Sequence, residues 1–182
     1  MRVIAGQLKG RRIEAPGSSR TRPTSDKVRE AVFSMIQFFV PEKTVLDLFA
    51  GSGALGIEAL SRGAEFCVFC DNDPECIQVL SRNIKDLGLA DRSHVLYSDA
   101  LKAMDQFLQE HKKFDLVLID PPYDTNLDDQ AIQACASGLL THDGIAYVEQ
   151  PALKKPLSIK KLAIDRIRVH GRSKIVLYKA IF

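Results

Sequence analysis

Residues 44–60 read TVLDLFAGSGALGIEAL, and this stretch decides the fold. The apolar run TVLDLF predicts a buried strand, and GALGIEALSRG predicts a helix that ends at Gly63. The turn between them, GSGALG at residues 51–56, fits the pattern G-x-G-x-x-G, in which glycine lets the backbone approach a cofactor closely. The stretch therefore predicts a strand, a ligand-binding turn and a helix in succession.

The same alternation continues down the chain. Further strands are predicted at EFCVFCD, HVLYSD, FDLVLID and GIAYVEQ, and they are separated by the helices PECIQVLSRNIKDLG, ALKAMDQFLQEH and LDDQAIQACASGLL. Near-continuous apolar strands that alternate with helices are typical of a parallel sheet covered on both faces. The tail, KKLAIDRIRVHG and SKIVLYKAIF around GRS, predicts an antiparallel pair of strands.

The first forty residues show a different pattern. RVIAG and RRIEAP predict short extended pieces around a turn. A cap at Thr24 or Ser25 then opens a helix that runs to about Phe39, because apolar residues recur on one face of it: Val28, Val32, Met35, Ile36 and Phe39. We therefore expect a small N-terminal extension at residues 1–40 and one main domain at 41–182.

Length and composition exclude several classes of protein. A chain of 182 residues with 46% hydrophobic content suits one ordinary globular domain. No apolar run approaches the about 20 residues that a membrane helix needs. The N-terminus lacks the apolar segment of a secretory signal. A cytoplasmic protein is expected.

The net charge of +2 hides an uneven distribution. Residues 1–30 hold eight basic and three acidic side chains, residues 31–150 hold eight and nineteen, and residues 151–182 hold nine and one. Basic ends on an acidic body favour a polyanionic partner, with nucleic acid as the first candidate. Ordinary solvated surface charge explains the same counts, so charge alone does not choose between the two.

The four cysteines include a pair with CxxC spacing, Cys67 and Cys70. Both lie in an apolar strand pattern, and residues three apart on a strand point to opposite faces. No second CxxC and no nearby histidine completes a metal site. No metal is therefore expected.

Acidic residues stand at the ends of four consecutive predicted strands: Asp47, Asp71, Asp99 and Asp120. In open α/β sheets the ligand binds beyond the carboxyl ends of the strands, so these acids are candidate site residues. A helix cap or a turn is the structural alternative for each of them. Four in succession favour a binding site.

Two cofactors are compatible with the glycine turn. With Asp71 twenty residues after Gly51, the pattern fits a dinucleotide site and an NAD-dependent oxidoreductase. Asp47 argues against that interpretation, because a carboxylate about 4 Å from a pyrophosphate costs roughly 4 kcal/mol at an effective dielectric constant of about 20. S-adenosylmethionine carries positive charge and no phosphate. In that interpretation Asp71 accepts hydrogen bonds from the ribose and Asp99 accepts one from the adenine amino group.

Asp120 opens the tetrapeptide DPPY, residues 120–123. An exocyclic amino group is a weak nucleophile because its lone pair is delocalised into the ring. Acceptors aimed at its two hydrogens would free that lone pair, and Asp120 and the carbonyl of Pro121 are such acceptors. The two prolines, Pro121 and Pro122, stiffen the loop, and Tyr123 offers a flat surface on which a base can stack. A plain strand terminator is the alternative.

These residues also resemble a known family. DLFAGSGALGIEALSRGA, the acid at Asp71 and DPPY are similar to class I methyltransferases that act on exocyclic amines. RVIAGQLKGRRIEAP and RPTSDKVREAVFSMI resemble, more specifically, the RsmD family of bacterial 16S rRNA (guanine-N2)-methyltransferases. The resemblance covers nearly the whole chain and is weakest after about residue 150. It implies a Rossmann-like fold with seven strands, and it makes residues 41–182 an S-adenosylmethionine-binding domain.

The resemblance also implies roles for individual residues. The cofactor would be bound at the strand ends by Asp47, Phe49, Ala50, Gly51, Gly53, Asp71, Asn72, Asp99 and Ala100. The target guanine would be held by Asp120, Pro121, Pro122 and Tyr123. The 16S rRNA, within a partly or fully assembled small subunit, would be contacted by Lys9, Arg11, Arg12, Arg22, Thr24 and Lys27.

Three other functions stay open on the sequence. Adenine-N6 methylation of DNA or RNA is one, because DPPY does not separate two planar amino groups. A non-catalytic RNA-binding protein, with a vestigial site between basic ends, is another. The NAD-dependent oxidoreductase is the third.

Overall fold

The computed structural model describes residues 1–17, 26–122 and 125–182. Within them the first three helices are α1 (Asp26–Met35), α2 (Ala54–Ser61) and α3 (Pro74–Asp86), and the next two are α4 (Ala100–Gln109) and α5 (Leu127–Ala134). The strands are β1 (Thr44–Asp47), β2 (Phe66–Asp71), β3 (Ser93–Tyr97), β4 (Phe114–Ile119), β5 (Leu140–Pro151), β6 (Leu162–His170) and β7 (Ser173–Ala180). No helix among these residues is long and apolar enough to cross a bilayer.

The strands form one seven-stranded sheet in the order β3-β2-β1-β4-β5-β7-β6. The first five of these strands are parallel, and β7 pairs antiparallel with both β5 and β6. The predicted α/β class, the mostly parallel sheet and the antiparallel C-terminal hairpin are confirmed. Strand order reverses between β1 and β4, which is where ligands bind in sheets of this kind.

A separate hydrophobic core lies on each face of the sheet. The first core joins α1, α2 and α3 to one face, and the second joins α4 and α5 to the other. Cys67 belongs to the first core and Cys70 to the second, which confirms that the CxxC pair points to opposite faces. All four cysteines are buried free thiols.

The N-terminal segment packs on the α2 side. Val3 and Ile13 are buried in the first core, and Arg2 and Arg12 pair as an isolated antiparallel bridge. The buried carboxylate of Glu58 in α2 accepts hydrogen bonds from the backbone N–H groups of Ile4 (2.9 Å) and Ala5 (3.0 Å). The two short extended pieces predicted from the sequence are therefore present, and they are held by α2, a helix that packs on the sheet.

Helix α1 is shorter than predicted. It ends at Met35, and the N–H groups of Phe39 and Val40 both donate to the carbonyl of Ile36 in a turn. The turn buries Ile36 and Val40, and Pro41 disfavours a helical conformation at the residue before it. The predicted cap at Thr24 or Ser25 lies outside the described residues.

Candidate cofactor and substrate site

The four acids predicted as site residues follow four parallel strands. Asp47 and Asp71 are the last residues of β1 and β2, Asp120 directly follows β4, and Asp99 is two residues beyond β3. Because these strands are parallel, all four acids stand at the carboxyl edge of the sheet. Asp47 and Asp120 flank the point where the strand order reverses.

Asp47 is buried, with 1% of its surface exposed, and its Oδ2 accepts a hydrogen bond from the N–H of Gly56 at 2.9 Å. Burial raises the pKa of Asp47 from 3.8 to about 7; the Gly56 N–H opposes this shift and the charge of Asp71 adds to it. From the sequence, Asp47 was expected to present a full negative charge to the turn. In the structure the carboxyl group is buried and accepts a hydrogen bond from the backbone of α2, and its burial favours the protonated form.

Asp71 joins two loops at the same edge. Its Oδ2 accepts from the N–H of Gly51 at 2.7 Å, and its Oδ1 accepts from the N–H of Asp73 at 2.9 Å. The glycine turn after β1 is thereby fixed to the end of β2. A carboxylate has about four acceptor sites, so these two bonds leave capacity for the hydroxyl groups of a ribose.

The three glycines of the turn differ in what surrounds them. Gly51 has φ +54°, and a Cβ built there meets no atom within 4 Å. A Cβ at Gly53 would lie 2.4 Å from Leu80, and one at Gly56 would lie 2.3 Å from the ring of Phe69. Gly51 therefore borders open space next to Asp71, which fits a cofactor with a ribose, whereas Gly53 and Gly56 allow α2 to pack closely on α3 and β2.

The remaining predicted cofactor residues have local roles that the structure shows. Asp99 is the N-cap of α4, and its Oδ1 accepts from the N–H groups of Leu101 (3.0 Å) and Lys102 (3.3 Å). The N–H of Ala50 donates to the carbonyl of Cys70 at 2.9 Å. Phe49 is half-buried against the second core, Ala100 is buried, and Asn72 is exposed. Their contacts with a cofactor stay predictions.

The DPPY loop begins where β4 ends. Asp120 and Pro121 are half-buried and Pro122 is exposed, and the carbonyl of Pro122 accepts from Thr125 Oγ1 at 2.9 Å. Tyr123 lies outside the described residues. An acid and a proline carbonyl are thus present at the edge next to the glycine turn.

The predicted RNA-binding residues fall into two groups. Lys9, Arg11, Arg12 and Lys27 are exposed, whereas Arg22 and Thr24 lie outside the described residues. Arg11 donates to the carbonyl of Asp86 at 2.8 Å, at the end of α3. Arg12 lines a surface cleft together with Arg2 and Asp26, at the start of α1.

Sequence reasoning missed several buried polar residues that assemble this region. Asn83 bridges two segments, because its Nδ2 donates to the carbonyls of Glu14 (3.0 Å) and Ser52 (2.9 Å). Glu58 holds the N-terminal segment, and Glu149 is buried near the end of β5. The signal for Glu58 is a lone acid inside the apolar helix ALGIEALS. Among the described residues, no group of three or more His, Cys, Asp or Glu side chains could hold a metal ion.

This combination of a strand order with a central reversal, a glycine turn and acids at successive strand ends defines the class I methyltransferase fold. A family model described as "Conserved hypothetical protein 95" matches residues 1–179. The chain belongs to that family, the RsmD family.

Individual relatives agree with this membership. "Ribosomal RNA small subunit methyltransferase D" of Escherichia coli K12 is 36% identical over 181 residues, covering 98% of this chain and 89% of that protein. The structure titled "Putative methyltransferase yhhF from Escherichia coli" is 33% identical with TM-score 0.86, covering 99% of this chain and 97% of that one. An RNA methyltransferase from Salinibacter ruber, solved in complex with S-adenosyl-L-homocysteine, is 16% identical with TM-score 0.68 over 87% of this chain and 94% of that one, and shares the fold.

Proposed function

We propose that this protein transfers a methyl group from S-adenosylmethionine to the exocyclic N2 of a guanine in the 16S rRNA of the small ribosomal subunit. The observation that carries the proposal is the position of Asp120-Pro121-Pro122 across the strand-order reversal from the glycine turn. A cofactor at the turn and an amino group at Asp120 would then face each other. The names of the relatives support an rRNA substrate.

In this proposal, different residues of the chain bind different parts of the cofactor. Asp71, which holds the N–H of Gly51, would also accept hydrogen bonds from the ribose, and the open space at Gly51 would leave room for the cofactor next to that carboxylate. Asp47 lies beneath the turn, where the positive charges of the cofactor favour its ionised form. Phe49, Ala50, Gly53, Asn72, Asp99 and Ala100 complete the proposed binding residues.

Methyl transfer needs an amino nitrogen held in line with the methyl group, so positioning supplies much of the rate. When bound, S-adenosylmethionine would supply an electrophilic methyl group to the lone pair of N2, and the electrons of its carbon–sulfur bond would stay on sulfur. Asp120 and the carbonyl of Pro121 accept the two N2 hydrogens and orient the lone pair. The proton that N2 then loses leaves along its hydrogen bond to the Asp120 carboxylate. Pro122 stiffens the loop, and Tyr123 stacks on the base.

The basic N-terminal extension, residues 1–40, supplies part of the RNA contacts in this proposal. Lys9, Arg11, Arg12, Arg22, Thr24 and Lys27 would contact phosphates and help close the site. A chain of 20.2 kDa has little surface for reading RNA alone, so a partly or fully assembled subunit in the cytoplasm is the proposed substrate. Residues 41–182 form the cofactor-binding domain.

The experiment measures tritium transfer from labelled S-adenosylmethionine to small ribosomal subunits taken from cells that lack the enzyme. Nucleoside analysis of the product should place the label in N2-methylguanosine. Label in N6-methyladenosine would show that the target base is adenine and not guanine. No transfer together with no calorimetric binding of S-adenosylmethionine would reject the methyltransferase function and favour an RNA-binding role. Asp120→Asn is the matched variant, expected to lower transfer about 100-fold while cofactor affinity stays unchanged.

A further inference from the structure

A buried acid, Glu149, stands next to the DPPY loop and has no part in the mechanism above. Val148 of β5 is the register partner of Ile119, the last residue of β4, in a parallel pair. Glu149 therefore lies at the level of Asp120, on the neighbouring strand at the carboxyl edge. Only 8% of its surface is exposed.

The Glu149 side chain is held in place by its own strand. The hydroxyl of Tyr147, two residues earlier on the same face, donates to Glu149 Oε2 at 3.1 Å. Tyr147 is fully buried and shares the first core with Leu118 of β4. Because side chains alternate along a strand, Glu149 lies on the face of Tyr147 and of its register partner Leu118, and Asp120 is the residue that directly follows β4. Glu149 thus stands at the same edge and level of the sheet as Asp120, at the proposed substrate site.

The hydrogen-bonding edges of the two candidate bases differ next to the amino group. In guanine the N2 amino group stands beside N1–H, which is a second donor. In adenine the N6 amino group stands beside N1 without hydrogen, which is an acceptor. A second carboxylate beside Asp120 therefore complements guanine and places an acceptor against an acceptor in adenine.

We infer that Glu149 accepts the N1–H of the target guanine and so makes the site specific for guanine over adenine-like bases. Tyr147 is a positioning residue that orients the Glu149 carboxylate. This inference rests on the proposed function, because it assigns the recognition of the base whose N2 is methylated. A base without N1–H displaces water from the Glu149 carboxylate and offers it no hydrogen bond in return, so an analogue without N1–H is bound less well.

The test compares two bases at one position. Small subunits are reconstituted with 16S rRNA that carries either guanosine or 2,6-diaminopurine riboside at the nucleotide labelled in the experiment above. The analogue keeps the N2 amino group, replaces N1–H by a lone pair and carries an amino group in place of O6. The wild-type protein should prefer guanosine in kcat/KM by about 10- to 100-fold.

Glu149→Gln turns an acceptor-only group into one that also donates, with almost no change in shape. The variant should lose about 10- to 100-fold in kcat/KM on guanosine and gain on the analogue relative to guanosine, so that the preference falls or inverts. Its affinity for S-adenosylmethionine should match that of the wild type. Tyr147→Phe should move the preference in the same direction by a smaller factor. Glu65→Gln, at an exposed acid just before β2, is the control and should change neither quantity.

The outcomes separate the two proposals. If the wild type forms N2-methylguanosine and Glu149→Gln keeps the wild-type preference between the two bases, the inference is wrong and the proposed function stands. If Glu149→Gln binds no cofactor, Tyr147→Phe becomes the test. The inference is then wrong if this variant prefers guanosine over the analogue by the same factor as the wild type. If the wild type methylates no guanosine, both proposals fail.

Discussion

Asp47 illustrates, at the scale of one residue, how burial changes the chemistry of a side chain. An aspartate at a strand end was predicted to act through its charge. The structure gives it one hydrogen bond from Gly56 and a pKa raised to about 7 by burial. The sequence could place this residue next to the turn, but it could not show the depth at which the carboxyl group lies.

The raised pKa predicts how stability depends on pH. Between pH 3.8 and about 7 the folded protein holds a proton on Asp47 that the unfolded chain does not hold. Stability from this group is therefore present at low pH and is lost as pH rises towards 7. Urea unfolding of the wild type and of Asp47→Asn from pH 5 to 8 should show the wild type losing up to about 1.4 kcal/mol per pH unit relative to the variant below pH 7. A difference that is constant over this range would contradict the shift.

The glycine turn gives a second residue-scale prediction, because Gly51 and Gly56 form a matched pair. Gly51→Ala places a methyl group in the open space next to Asp71 and should weaken binding of S-adenosylmethionine, with a folding cost of about 1–2 kcal/mol from the positive φ. Gly56→Ala places the methyl group against Phe69 and should cost more stability. Calorimetric binding and urea unfolding of both variants test this. Unchanged cofactor affinity in Gly51→Ala would contradict the assignment of the open space.

At the scale of elements, the sequence predicted the strands of the sheet and the helices that cover it more accurately than the segments that connect them. Apolar runs and glycine signals located β1, α2 and β2, because these features are local. The end of α1 was predicted four residues too late, since the apolar face continues to Phe39 through a turn that is not helical. Periodicity alone does not distinguish a helix from a turn that buries the same residues.

The docking of the N-terminal segment on α2 depends on contacts that no local pattern reveals. The Glu58 carboxylate accepts from Ile4, Ala5 and Arg62, and Ser61 Oγ donates to the carbonyl of Ala5 at 2.6 Å. A Cβ at Gly6 would lie 1.9 Å from the carbonyl oxygen of Ser61. The N-terminal segment can therefore pack on α2 only if residue 6 is glycine and residue 58 is an acid that accepts its N–H groups.

Glu58→Gln should destabilise the protein, because one amide oxygen replaces two carboxylate oxygens that serve three donors. The expected loss is about 2–4 kcal/mol in the free energy of unfolding, since a buried carboxylate and its half-buried partner Arg62 lose their pairing. Urea unfolding measures the loss, and limited proteolysis should cut the variant sooner within residues 1–14. Glu65→Gln is the exposed control and should stay within about 0.5 kcal/mol of the wild type.

At the scale of the whole molecule, charge is segregated along the chain. The N-terminal segment contacts α2 and α3. Some of the basic residues after 150 lie on β6, the strand at the far edge of the sheet. Arg166 and Arg168 of β6 are exposed and are paired with Leu177 and Ile175, both in the first core. They therefore lie on the same face of the sheet as α1 and the N-terminal segment.

This arrangement predicts a salt-dependent contact with RNA through β6. Replacing Arg166 and Arg168 by glutamine should reduce the slope of log affinity against log salt by about 1.5, because two phosphate contacts are lost. Measuring the affinity for small subunits between about 50 and about 200 mM salt tests this. The double variant Lys85→Gln/Lys113→Gln removes two exposed charges from the acidic middle segment and should keep the slope. Equal slopes in the two double variants would exclude β6 from the interface.

The position of β7 has a consequence for the order in which the sheet is completed during synthesis. β7 follows β6 in the chain but lies between β5 and β6 in the sheet. While β6 emerges from the ribosome, β5 has an unpaired edge and β6 has no neighbour to bind. An unpaired apolar strand edge is a template for association with other chains, so the nascent protein is most vulnerable to aggregation until β7 is inserted.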